Sequence, residues 1–326
     1  MTAVNTLMTL FSAVVPVFGL MVAGFGMRRV RWLTAEADQS LLHICVKVLL
    51  PALIFESVLG NEALRRPENL WLPPLVGVVT VLVSIGLAWL VTGFTQLETP
   101  GERRTFALTT GLQNYGYIPL PLCILLFDPG TVGVLLVHNV GVEIMLWTVG
   151  IAILSGGGWR GSWKQIINAP LVALLLALSL NVIGQHVSPP PLLHEMGLMA
   201  MTGIHWLGQC AIPLALLMIG AIIADHISEI HGGRFARVVV MALAVRLLAL
   251  PILFMLLAKY LPCSIELKRV IVVEGAMASA VLPIALSKHY GGDPRTALQV
   301  VLSTSLAGLV TIPLWIKWGC HFAGLW

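Results

Sequence analysis

Charged residues are scarce in this chain. They make up 10% of its 326 residues, while 58% are hydrophobic. Ordinary soluble domains carry roughly 25% charged residues. The charges lie in short gaps between apolar runs of about 20 residues, the length at which an α-helix crosses a bilayer. The composition therefore excludes a soluble domain and predicts an all-α integral membrane protein.

Other common signatures are absent as well. The five cysteines are scattered and form no C-x-x-C pair, which argues against a disulfide framework and a zinc site. No basic run is long enough for a nucleic-acid partner. The stretch "HEMGL" has Leu198 where an H-E-x-x-H metalloprotease needs its second histidine, and no G-x-S-x-G elbow occurs. We therefore expect no enzyme, no metal and no cofactor.

The apolar runs predict ten membrane-spanning helices in one domain, 1–326. They fall at about 7–27, 38–58, 71–95, 104–127, 131–154, 169–185, 204–224, 236–258, 268–288 and 296–317. The first run lacks the features of a cleaved signal peptide and is expected to be a span. Eleven Lys and Arg residues lie on the side opposite the termini and six on the terminal side. This imbalance predicts both termini outside the cytoplasm, in a bacterial inner membrane.

The two halves of the chain resemble each other. A shift of 162 residues pairs Pro51 with Pro213, Pro100 with Pro262 and Pro121 with Pro283, and a shift of 165 pairs Asp128-Pro129 with Asp293-Pro294. These coincidences predict repeats at 1–155 and 165–326, joined by a Gly-rich linker at 156–164. Because each repeat holds five spans, the second copy must be inverted in the membrane.

Helix breakers interrupt the fourth and ninth spans. "TTGLQNYGYIPLPLCILLF" carries Pro119 and Pro121, and "VEGAMASAVLPIALSKHYGG" carries Gly275 and Pro283. Interrupted backbone at membrane depth is tolerated only inside protein or beside a watery cavity. We therefore expect two broken, crossing helices whose half-helix N-termini favour an anion. Simple proline kinks are the alternative.

Ionisable side chains also lie inside the spans. Lys47, Glu143, Arg246 and Glu274 are costly there and mark either ion pathways or structural pairs. Gln209 is the repeat partner of Lys47, four residues before the matching proline. All five are candidates for coupling to H⁺ or Na⁺. Structural ion pairing is the alternative for the charged members.

Several stretches together resemble the auxin efflux carrier family. They are "VVPVFGLMVAGFGMRR", "VLLPALIFESVL", "GLQNYGYIPLPL", "PLALLMIGAII" and "KHYGGDP", and the resemblance covers nearly the whole chain. It implies a scaffold formed by helices at roughly 7–58 and 169–224, often dimeric. A transport domain at roughly 71–154 and 236–317 would move against it as an elevator.

The resemblance also implies site residues. Asn114 matches the family asparagine that binds carboxylate, and Pro121 matches the proline at the crossing. The family often has Met-Pro where Met277-Ala278 stands, so the second break departs from its pattern. The expected substrate-binding set consists of Gln113, Asn114, Tyr115, Gly116, Met277 and Ser279.

These observations predict a secondary active transporter of the elevator type for a small organic anion, a carboxylate. Its expected partners are the anion, the bilayer and a second copy of the chain. Two alternatives share the same residues. One is a cation/proton antiporter on the same architecture, and the other is a channel with a static broken-helix pore.

Overall fold

The computed structural model describes residues 3–157, 165–184, 190–227 and 235–326. The predicted linker at 156–164 falls largely outside them. Within the described ranges the regular structure is helical, apart from one isolated β-bridge. The α-helices are α1 (Ala3–Arg29), α2 (Ala35–Ile44), α3 (Leu50–Val58), α4 (Glu68–Leu90), α5 (Pro100–Gly111), α6 (Pro119–Leu126), α7 (Pro129–Met145), α8 (Ile151–Leu154), α9 (Ala169–Ile183), α10 (Pro191–His226), α11 (Phe235–Ala244), α12 (Leu250–Tyr260), α13 (Ile265–Ala276), α14 (Leu282–Tyr290) and α15 (Pro294–Phe322).

Seven helical segments in the described part of the chain are long and apolar enough to cross a membrane. They are Phe11–Arg29, Ala35–Val58, Glu68–Phe94, Pro129–Leu154, Glu195–Asp225, Ala236–Tyr260 and Pro294–Phe322. The predicted sixth span is the shorter α9, whose 15 residues extend ~22 Å at about 1.5 Å per residue. The predicted fourth and ninth spans are each divided into two short helices. The chain is thus a multi-pass, all-helical membrane protein.

Helix α10 is much longer than the sequence pattern indicated. It contains 36 residues and begins at Pro191, whereas the apolar run predicted a span from about residue 204. Proline is well suited to the first turn of a helix, because the N–H that it lacks has no partner there. The residues between Pro191 and the predicted start of the span are less apolar, but they are helical as well.

Matching caps begin the helices that follow the two interrupted spans. Asp128 precedes α7, and its side chain accepts the backbone N–H of Thr131. Asp293 precedes α15, and its side chain accepts the N–H of Thr296. In both cases the first helical residue is proline. The Asp-Pro-x-Thr sequence therefore starts a helix in the same way at both positions.

Three helices widen into a π-helical turn: Cys45–Leu49, Leu146–Gly150 and Val245–Ala249. The first and third turns come directly before α3 and α12, which have Pro51 and Pro251 in their first turn. A proline lacks the N–H that an unbroken helix needs and clashes with the preceding turn, which accounts for the local widening. Lys47 and Arg246 lie in these two turns.

Long helices pack closely around the interrupted spans. Helix α1 runs along α10, α3 lies against α9 and α10, and α4 lies against α7. A Cβ atom on Gly220 of α10 would collide with the backbone carbonyl of Met21 on α1, so this helix pair needs a glycine at its contact. Helices α5, α11, α13 and α14 all contact α15.

Candidate functional site

The two interrupted spans meet inside the protein. The unwound segment 112–118 separates α5 from α6, and the segment 277–281 separates α13 from α14. Gln113 and Ser279 form an antiparallel β-bridge. The N–H of Asn114 donates to the carbonyl of Ala278 at 2.8 Å, and the N–H of Ala280 donates to the carbonyl of Leu112 at 2.9 Å. Each break therefore satisfies backbone groups of the other, as buried unwound backbone requires.

The predicted helix breakers lie close to these segments. Pro119 begins α6, Pro121 is its third residue, and Pro283 is the second residue of α14. Gly275 differs from the expectation, because it belongs to the last turn of α13 and the unwound segment begins at Met277. A Cβ at Gly275 would lie 2.5 Å from the Cβ of Phe254, so close packing against α12 explains this glycine better than chain unwinding.

The N-terminus of α6 offers fewer free backbone N–H donors than an ordinary helix N-terminus does. Pro119 and Pro121 have no N–H, and the N–H of Leu120 donates to the carbonyl of Gly116 at 3.2 Å. The side chain of Asn114 accepts the N–H of Tyr117 at 3.2 Å. The helix dipole remains, but direct contacts to an anion must come mainly from side chains.

A cavity of about 540 Å³ lies beside the crossing. Its lining comes from the two unwound segments with α6, α7 and α14, and from α2, the adjoining π-turn, α3, α9 and α10. The lining is mostly apolar. Its principal polar and charged side chains are Asn114, Asn139, Glu143 and Lys288, together with two tyrosines.

The polar residues of α7 are held in place by hydrogen bonds. The amide of Asn139 donates to the carbonyl of Tyr115 at 2.6 Å, which ties α7 to the unwound segment. The carboxylate of Glu143 accepts the amide of Asn168 at 2.7 Å. Asn168 also caps the start of α9 by accepting the N–H of Leu171. The Glu143–Asn168 contact therefore connects α7 with the start of α9.

Three of the six predicted substrate-binding residues line the cavity: Asn114, Tyr115 and Gly116. Gln113, Met277 and Ser279 are buried behind the crossing and do not contribute to the cavity wall. Gln113 and Ser279 are the two residues paired in the β-bridge at the crossing, and neither side chain reaches the cavity. Lys288 was not predicted to line the site. Its place in the sequence, five residues after Pro283 and in the last turn of α14, is the feature that could have suggested it.

The predicted ion-coupling residues occupy three different environments. Glu143 lines the cavity, as described above. Glu274 and Arg246 are fully buried near the end of α13. Lys47 and Gln209 are exposed on the outer surface of the protein and do not line the cavity. No group of three His, Cys, Asp or Glu side chains that could hold a metal is found in the described ranges.

The helices and the crossing beside the cavity define a multi-pass membrane protein with interrupted helices at its centre. Residues 9–161 and 161–316 match the sequence model of the family described as membrane transport protein. The chain belongs to this family, and the predicted membership in the auxin efflux carrier family is thereby confirmed.

A curated relative agrees with this result. The chain is 24% identical over 307 residues to an "Uncharacterized transporter" of Methanothermobacter thermautotrophicus. The alignment covers 93% of this chain and 96% of the relative. Both comparisons therefore point to membrane transport.

Proposed function

We propose that this protein is a secondary active transporter that carries a small organic anion, a carboxylate, bound in the cavity at the crossing. The observation that carries the proposal is the cavity itself, which is lined both by the two interrupted helices and by helices α9 and α10. In secondary transporters, substrates bind near the bilayer midplane where discontinuous helices meet. Membership in a membrane transport family supports the same conclusion.

The chemistry of the cavity favours an anion with one or two polar groups. The amides of Asn114 and Asn139 and the ammonium group of Lys288 can contact a carboxylate. The N-terminal ends of α6 and α14 add positive dipole potential at the same place. Glu143 is the negative group of the lining and is our candidate for proton coupling, because a cavity-lining carboxylate can gain and lose a proton during the cycle.

The proposed architecture has two inverted five-helix repeats, giving ten spans. Helices α5 and α13 each contain 12 residues, while α6 and α14 contain 8 and 9. The equal Asp-Pro-x-Thr caps of α7 and α15 follow these pairs at the same place in each half. These matches support the repeat.

Ten spans place both termini on the same side of the membrane. The larger number of Lys and Arg residues on the opposite side then favours termini outside the cytoplasm of a bacterial cell.

We further propose an elevator mechanism with a dimeric scaffold. Helices α1, α2, α3, α9 and α10 form the scaffold, and the crossing moves with its neighbouring helices as the transport domain. Lys47 and Gln209 are exposed although they lie within apolar spans. Polar side chains at membrane depth rarely face lipid. A second copy covering the π-turn after α2 and this part of α10 would remove that cost.

The proposal is tested by counterflow in proteoliposomes. Vesicles containing purified protein are preloaded with one carboxylate from a panel of short dicarboxylates, aromatic acids and amino acids, and uptake of the labelled compound is followed. We expect saturable counterflow for at least one carboxylate. Ion currents without saturation would indicate a channel, and cation/proton exchange without any organic solute would indicate an antiporter. Either result would overturn the proposal.

A further inference from the structure

Arg246 lies at the end of one half-helix of the crossing. Its side chain is fully buried in the π-turn between α11 and α12. The Nη2 atom lies 3.4 Å from the carbonyl oxygen of Glu274 and 3.3 Å from that of Gly275. Both carbonyls belong to the last turn of α13. The guanidinium group therefore caps the C-terminal end of this half-helix.

The end that Arg246 caps is one that attracts cations. The last carbonyls of a helix lack partners within the helix, and the dipole places partial negative charge there. In secondary transporters with discontinuous helices, such C-terminal ends and the adjoining unwound carbonyls hold the coupling cation. Here a positively charged side chain of the protein occupies that position.

A buried carboxylate accompanies the guanidinium. Glu274 is fully buried, and within the described residues it forms no ion pair within 4.0 Å. Neither of its carboxylate oxygens has a hydrogen-bond partner there, and the amide of Gln113 faces it without reaching hydrogen-bond geometry. An isolated buried charge is costly unless an opposite charge compensates it. Arg246, whose guanidinium group lies against the carbonyl oxygens of Glu274 and Gly275, brings a positive charge to this helix end.

We propose that Arg246 is a tethered cation that takes the place of a coupling sodium ion at the end of α13, so that the carrier moves its anion without sodium. This inference rests on the proposed transport function. On this inference, the positive charge at the crossing is supplied by a side chain of the protein and not by a bound ion. A proton accepted by Glu143 in the cavity lining remains compatible with it.

The test compares Arg246→Gln with the double variant Arg246→Gln/Glu274→Gln. The single variant leaves the helix end and its buried carboxyl group without a cation, whereas the double variant also removes that carboxyl group. Arg65→Gln is the matched control, because it makes the same substitution at an exposed residue of the short 3₁₀ helix between α3 and α4. Melting temperatures of the purified proteins and uptake into proteoliposomes are measured in sodium chloride, guanidinium chloride or choline chloride at equal millimolar concentrations.

We expect sodium or guanidinium, but not choline, to raise the melting temperature of Arg246→Gln, since a ligand that binds only the folded state stabilises it. Uptake by this variant should rise at least about tenfold with the added cation, the size expected for restoring one charged hydrogen bond. The wild type, Arg65→Gln and the double variant should not distinguish sodium from choline.

Sodium-dependent uptake by the wild type would overturn the inference, as would an Arg246→Gln variant that responds to cations no more than the wild type. If Arg246→Gln cannot be purified, uptake by Arg246→Lys tests the inference instead, because this variant keeps the positive charge. Sodium-independent uptake by Arg246→Lys is then expected, and sodium dependence would contradict the inference. If the wild type transports no carboxylate, the proposed function fails, while the melting temperatures still test the cation position.

Discussion

Replacing Asn114 with alanine should weaken substrate binding much more than it weakens folding. The side chain of Asn114 lies in the cavity wall and is 4% exposed. It also accepts the N–H of Tyr117 at 3.2 Å. The alanine variant loses both the amide that faces the cavity and this local hydrogen bond, so two effects of different size are expected.

The larger effect should appear in binding. A hydrogen bond to a charged group contributes about 1.5–3 kcal/mol, which corresponds to a roughly 10-fold to 150-fold loss of affinity for the carboxylate. The local hydrogen bond is only partly buried, and its loss should lower the free energy of unfolding by about 1 kcal/mol. Asn114→Asp keeps an acceptor for Tyr117 but places a negative charge in the cavity. It should therefore fold like the wild type and bind the carboxylate even more weakly than Asn114→Ala.

The assay is titration calorimetry with the carboxylate that gives the strongest counterflow, together with thermal unfolding in detergent. Gln39→Ala is the matched control, because it removes an exposed amide of α2 that does not line the cavity. It should bind like the wild type. Wild-type affinity in Asn114→Ala, or unchanged affinity in Asn114→Asp, would refute the assignment of this side chain to the substrate.

Three further predictions concern packing, pH and movement. Gly275→Ala should lower the free energy of unfolding by about 1–3 kcal/mol through overpacking, whereas Gly86→Ala, which has open space around it, should not; thermal unfolding measures both. Burial acts to raise the pKa of Asp128, but the N–H at the start of α7 and a neighbouring arginine hold the pKa below its ordinary value. Its stabilising effect is therefore present above pH ~4 and is lost as the pH falls through the lowered pKa, so Asp128→Asn should flatten the dependence of melting temperature on pH in this acidic range. In a chain without its five native cysteines, a short bifunctional thiol reagent that links cysteines placed at Glu143 and Asn168 should stop carboxylate counterflow, relative to the same variant before reaction; continued counterflow after complete linking would contradict movement of α7 against α9.

Much of the fold could be predicted from the sequence because hydrophobic length is a strong signal. Runs of about 20 apolar residues indicated the helices, and the proline and glycine clusters indicated where the fourth and ninth are interrupted. Helix ends were harder. The start of α10 at Pro191 was missed because its first turns are less apolar than the rest, so hydropathy did not identify them.

The composition of the site was only partly predictable. Asn114 could be identified from its place next to the helix breakers, but sequence spacing alone does not show that Gln113 points away from the cavity. Lys47 was attractive as a charge within an apolar run, yet the rotation of its helix places it on the outer surface. Lys288 lines the cavity from the last turn of α14, a position that sequence spacing does not reveal. Such facing is decided by packing between segments that are distant in sequence.

The central claim is that the two interruptions cross and together form the transport site. Gln113 and Ser279 face each other as the narrow pair of an antiparallel bridge, for which the Cα atoms are typically ~4.5 Å apart, within the range of a disulfide. Cysteines at these two positions, in a chain without its five native cysteines, should form a disulfide. The linked protein should still bind the carboxylate, because both segments belong to one moving body. A folded protein in which these cysteines never pair would contradict the crossing and the site built on it.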